Sequence, residues 1–142
     1  MSTVGETIIQ QLLEIYYNFE NWHKKIMPND EAYKYHQKLL AKGNIICHTK
    51  DGIVLGYIEV WCVNAQQFNK IKYNNFYPMN EETNKGTIGY LANCWIKEEY
   101  RNNGIYKILK DKFMEKTQHC NFFAGEEQKR GARMRMFRRM GG

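Results

Sequence analysis

The chain has 142 residues, 43% of them hydrophobic and 14% aromatic, which is the composition of one globular domain and excludes a disordered or fibrous chain. No apolar stretch approaches the roughly eighteen residues of a membrane span, and no charged, apolar leader opens the sequence, so neither a span nor a signal peptide is expected. The formal net charge of +6 leaves nucleic acid, an acidic partner or a phosphorylated ligand open, because six of the 21 basic residues fall within 129–139 and no acid does.

In chain order, residues 6–26 carry Ile8, Ile9, Leu12, Leu13, Tyr16, Phe19 and Ile26 close to helical spacing, and Pro28 ends them. A second helix is predicted after Asn29 or Asp30, with Glu31 in its first turn and Gly43 beyond its end. Two β-rich runs, 44–49 and 53–63, flank Asp51-Gly52, a pair suited to the positive φ values of a tight hairpin. Residues 64–86 are polar, contain Pro78, and predict a long excursion with room for a short helix. Residues 87–96 predict a central strand, 104–117 an amphipathic helix, 120–124 a buried strand parallel to 87–96, and 127–140 a last, arginine-rich helix. The fold class is mixed α/β in a single domain, 1–43 forming a helix pair and 44–142 the rest.

Four cysteines, Cys47, Cys62, Cys94 and Cys120, form no CxxC pair. They are expected as buried thiols of a reducing compartment with no metal, since adjacent residues such as His119 and Cys120 rarely share an ion in a strand or helix.

The segment with most functional content is 94–113, CWIKEEYRNNGIYKILKDKF. An apolar strand runs into Arg101, Asn102, Asn103 and Gly104, and a helix starts at once. A helix N-terminus presents about four unpaired N–H groups and roughly half a positive charge, and small residues there let an anion reach the backbone. Arg101 adds a full charge. A diphosphate-sized ligand is the physical expectation.

This segment resembles the acetyl-coenzyme-A-binding motif of the GNAT N-acetyltransferases, Q/R-x-x-G-x-G/A after an apolar strand, with Arg101, Gly104 and Tyr106 on its defined positions. FFAGEE and ARMRMFRRMGG are similar to that family's next strand and helix. The resemblance covers roughly residues 44–142 and implies a GNAT-like fold lacking the usual last strand pair. It also implies acetyl-CoA, or another acyl-CoA, as cofactor. By the same resemblance the backbone of Trp95 and Ile96 pairs with the pantetheine arm, while the amides of Asn102, Asn103, Gly104, Ile105 and Tyr106 cradle the diphosphate. The strands ending at Ile96 and near Ala124 splay to admit the thioester.

Two departures stand out. Tyr106 replaces the preferred Gly or Ala, and Phe137 replaces the tyrosine that often protonates the departing thiolate. Candidates for the general base are Glu59, Tyr90 and Glu126. The expected reaction is acyl transfer to an unidentified amine on a small molecule or a protein. Its alternative is a catalytically silent GNAT-fold interaction or structural protein, docking through an open sheet edge or the basic C-terminal helix, with a partner or a second copy covering that edge. Nucleic-acid binding through 129–139 is a third reading. No membrane association is expected. Abundant Asn, Lys, Ile and Tyr and the short form suit a bacteriophage protein, placing it in the cytoplasm, of the host if phage-encoded.

Overall fold

The computed structural model describes residues 4–18, 29–126 and 134–138. Helices α1 (Val4–Asn18) and α2 (Asn29–Ala41) precede a hairpin of β1 (Ile45–Lys50) and β2 (Ile53–Val63). Asp51 and Gly52 take φ values of 53° and 79°, the left-handed turn expected of that dipeptide. The polar excursion contains α3 (Ala65–Lys72), started by a reciprocal pair of bonds in which Asn64 accepts from the Gln67 amide and Gln67 accepts from the Asn64 amide. Strand β3 (Ile88–Ile96), helix α4 (Ile105–Lys116) and strands β4 (Phe122–Glu126) and β5 (Met134–Arg138) complete the order.

The five strands lie in sequence order, so β3 is central as predicted. β3 and β4 are parallel, as a strand–helix–strand crossover requires, and every other neighbouring pair is antiparallel. Alternation along β2, shifted once at Leu55 where His48 pairs with Gly56 but Thr49 with Val54, sorts its side chains between two cores. Tyr57 faces Leu12 of α1 and Tyr35 and Leu39 of α2, whereas Leu55, Ile58 and Val60 face Ile105 and Leu109 of α4. The sheet is thus the middle layer of three. Of the four cysteines only Cys62 and Cys120 are buried; Cys47 and Cys94 are half-buried.

One expectation needs correction. The helix predicted over 127–140 is not what forms at 134–138, which pair as β5 with β4, Gly125 opposite Arg135 and Phe123 opposite Phe137. The spacing of Ala132, Met136, Phe137 and Met140 suits a helix, but a strand there covers β4's second edge, which would otherwise leave a row of unpaired backbone groups. The remainder of the predicted helix, with Lys129, Arg130, Arg133 and Arg139, lies outside the described residues. So does the part of the first predicted helix beyond Asn18.

Gly86, just ahead of β3, packs directly on the end of β2. A Cβ added there would fall 2.0 Å from the Val63 carbonyl carbon and 2.2 Å from its oxygen. Because backbone cannot swing aside as a side chain does, Gly86→Ala is expected to cost at least about 3 kcal/mol. Urea unfolding of the variant beside the wild type measures it; an unchanged midpoint would contradict this packing.

Candidate functional site

The site begins with a fault in a ladder. Glu59 of β2 pairs with Asn93 of β3, but Val60 pairs with Leu91, so Ala92 is an extra residue bulged out of β3. A bulge bends and twists the strand that carries it. The parallel ladder between β3 and β4 runs only from Ile88–Phe122 to Leu91–Gly125. It stops at the residue before the bulge. Beyond it Glu126 pairs with Met134 on its far side, and β3 continues to Ile96 paired with β2 but not with β4. The two central strands therefore open like a V whose vertex is Leu91.

The backbone groups that face this opening follow from hydrogen-bond alternation. The Lys97 amide donates to the Leu55 carbonyl at 2.8 Å, so Lys97, Trp95 and Asn93 turn their main-chain groups toward β2. Cys94 and Ile96 turn theirs away, toward the gap. The Ile96 carbonyl accepts from Arg101 Nε at 3.0 Å, which ties the following loop back to the strand end.

That loop is folded by its own short bonds. The Tyr100 amide donates to Lys97 O, Arg101 to Glu98 O and Asn103 to Tyr100 O. Asn102 at φ 68° and Gly104 at φ 86° both adopt the left-handed conformation, which Asn tolerates and Gly favours. Gly104 caps α4 without any side-chain bond, and the first intrahelical bond runs from the Ile108 amide to Gly104 O. Among the described residues, the amides of Asn102, Gly104, Ile105, Tyr106 and Lys107 take no acceptor, and the terminal nitrogens of Arg101 have no partner. A Cβ on Gly104 would meet nothing within 4 Å, so the approach to these amides is clear. Of the predicted cradle only the Asn103 amide is already used.

From this loop a cleft of about 430 Å³ runs between α4 and the diverging strands, walled by Ile58, Leu91, Cys94, Leu109, Phe113 and Phe123, with Tyr106 at its edge. It is mostly apolar. Tyr106, 64% exposed, leaves its amide clear while its ring flanks the cleft.

On the sheet's other face sits Glu59, 2% exposed. One carboxylate oxygen, Oε2, accepts from Tyr35 Oη at 2.6 Å and from Trp61 Nε1 at 3.0 Å. Oε1 has no bond among the described residues. Burial raises the carboxyl pKa to about 7, against the opposing pull of the two donors. Glu59 stands across the ladder from Asn93, the residue just past the bulge, whose Nδ2 donates to Tyr57 Oη at 2.7 Å. Trp95, on the same face, packs on Tyr57 with ring centroids 6.2 Å apart.

The other candidate bases are placed differently. Tyr90 is buried at the closed end of the V, opposite Ala124, stacked on Trp61 with centroids 5.2 Å apart and edge-on to Phe68. Glu126 ends β4, and its side chain lies outside the described residues. Sequence reasoning did not single out Tyr35, Asn93 or Cys94. The signal for Cys94 was its alternation with Trp95, whereas Tyr35 comes from α2, 24 residues before the glutamate it binds.

A mixed sheet that opens beside a bulge, with a row of unfilled amides at the start of the adjoining helix, defines the class of α/β fold. The chain belongs to the acetyltransferase (GNAT) family, whose sequence model matches residues 6–141. Solved structures share the fold at low identity. The loading GNAT-like domain of CurA from Lyngbya majuscula superposes with a TM-score of 0.56 at 13% identity, over 88% of this chain and 61% of that one. Diaminobutyrate acetyltransferase from Paenibacillus lautus, solved with its substrate and coenzyme A, gives 0.53 at 11% identity, over 84% and 59%. Ard1 from Thermoplasma volcanium gives 0.52 at 13% identity, over 86% and 68%. The chain spans about three-fifths of the first two. No curated protein matches it in sequence. Among the described residues no helix is long and apolar enough to cross a membrane.

Proposed function

We propose that this chain is an acyl-CoA-dependent N-acyltransferase, with acetyl-CoA the simplest donor. The observation that carries the reading is the continuity of two open features: five or so free amides at the start of α4 lead directly to an unpaired edge of β3. Arg101 and the amides of Asn102, Gly104, Ile105, Tyr106 and Lys107 suit a diphosphate, through charge and directed donors together. The main-chain groups of Cys94 and the amide of Ile96 suit the amide-bearing pantetheine arm as a partial extra strand, which moves the pairing expected of Trp95 one residue back.

When bound, the thioester supplies the activated acyl carbon. The free strand amides polarise its carbonyl, an effect worth about 3 kcal/mol per well-placed donor. Glu59 Oε1 takes the proton of the acceptor's ammonium group, since a carboxyl poised near 7 is matched to neutral solution. The amine nitrogen then bonds to the acyl carbon, the C–S bond breaks, and the thiolate leaves, taking up through solvent the second proton that the new amide nitrogen sheds. Residue 137 offers no such proton: it is a phenylalanine, and it belongs to a strand rather than to the helix that carries the family's tyrosine. The acceptor is an amine on a small molecule or a protein.

Calorimetric titration with acetyl-CoA tests the reading. One-site binding, displaced by free CoA and accompanied by CoA release when amines are added, is the expected result. Absence of binding would overturn the proposal, and binding without turnover across an amine panel would reduce it to a cofactor-binding protein.

A further inference from the structure

We propose that Cys62, His119 and Cys120 form a site for one thiophilic divalent cation of the zinc type, at the closed end of the V. Two thiol sulfurs and one imidazole nitrogen lie within 4.8 Å of one another. Bonds of about 2.3 Å to sulfur place tetrahedral ligand atoms roughly 3.8 Å apart, so shifts of about 1 Å or less complete the set. Two soft thiolates and an imidazole select zinc and its neighbours over magnesium or calcium.

The argument against adjacent ligands fails here for a local reason. Neighbouring side chains diverge by about 100° in a helix and face opposite sides of a strand. Residues 117–121, however, form the turn between α4 and β4, which is neither. That turn brings His119 and Cys120 to one point, and Cys62 meets them from β2.

Burial fits the chemistry as well. Cys62 and Cys120 are 0% and 2% exposed, while His119 is exposed, so an ion enters from the histidine side and keeps a solvent ligand there. A divalent ion with two thiolates is a neutral unit, which an apolar surrounding of Phe113, Met114 and Phe123 accepts more readily than a lone charge. Cys62 and Cys120 already meet each other, and their contacts to Lys116 O at 4.0 Å and Gly86 O at 3.5 Å are long ones that metal bonds can replace. Cys62 pairs with Gly89 of β3, and Cys120 leads into β4. The ion would therefore tie β2 to the chain entering β4, behind the four paired positions that form the vertex of the opening.

The reduced, metal-free full chain is titrated with Co(II) and then Zn(II). One equivalent of cobalt is expected to give thiolate-to-metal charge-transfer absorption, abolished by one equivalent of zinc. Zinc should also protect Cys62 and Cys120, but not Cys47 and Cys94, from alkylation. His119→Ala, at an exposed position, should fold normally and weaken zinc at least about 10-fold, and Cys120→Ser should remove the absorption. A cobalt spectrum without thiolate absorption, unchanged affinity in His119→Ala, or a Cys62–Cys120 disulfide forming in air at the same rate under saturating zinc would overturn the site.

Discussion

Gly104→Glu is expected to lower affinity for acetyl-CoA at least 100-fold, about 3 kcal/mol, while the chain stays folded. Three effects act in the same direction. A carboxylate at the cap of α4 competes for the very amides that are free, it repels a diphosphate across a few ångströms, and its bulk stands in a path now clear. The fold loses little, because Gly104 is exposed and its Cβ would touch nothing within 4 Å. The only structural penalty is left-handed backbone at φ 86°, about 1–2 kcal/mol for a residue with a side chain. Gly104→Asn separates the two causes: asparagine tolerates that conformation, carries no charge, and should keep most of the affinity. Calorimetry on both variants, with a thermal melt of each, makes the measurement. Affinity within a few-fold of wild type in Gly104→Glu would place the diphosphate elsewhere.

The parts of this architecture that depend on local chemistry were legible in the sequence. Asp51-Gly52 announced its hairpin because few dipeptides accept two positive φ values, and the amphipathic run after Gly104 announced α4. The parallel crossover followed from an apolar strand, an amphipathic helix and a second apolar strand in succession. What stayed hidden depends on partners. A bulge at Ala92 is a mismatch of register with β2, and nothing in the composition of 88–96 marks it, yet it decides where β3 leaves β4. The resemblance assigned Trp95 and Ile96 to the pantetheine; strand alternation makes the groups of Cys94 and Ile96 the outward ones, but only once Lys97 is known to bind Leu55. Residues 134–138 satisfy both a helical and a strand spacing, and the free edge of β4 chooses between them. Glu59 stood out as the sole acid in the apolar run 53–63; Tyr35 and Trp61, which share one of its oxygens and leave the other bare, did not.

Glu59→Gln is the change for which the expected effects on stability and on turnover separate. In the folded chain burial holds the carboxyl pKa near 7, against 4.5 for an ordinary glutamate. Between those values the folded protein binds more protons than the unfolded one, so stability falls as pH rises. The contribution is complete below about 4.5 and gone once pH passes about 7, and the interval corresponds to about 3 kcal/mol. Gln cannot ionise; its variant should lack this slope and unfold at higher denaturant than wild type at pH 8. Turnover should move the opposite way. If Oε1 is the base, the wild-type kcat/KM rises through pH 7, and the variant loses both that limb and about 10²–10⁴ of the rate. Tyr35→Phe supplies the check on assignment, because Tyr35's bond lowers the Glu59 pKa and removing it should carry the limb to higher pH. A Gln variant with the altered stability profile but wild-type turnover would leave Glu59 as a buried structural carboxylate and put proton removal at a different group.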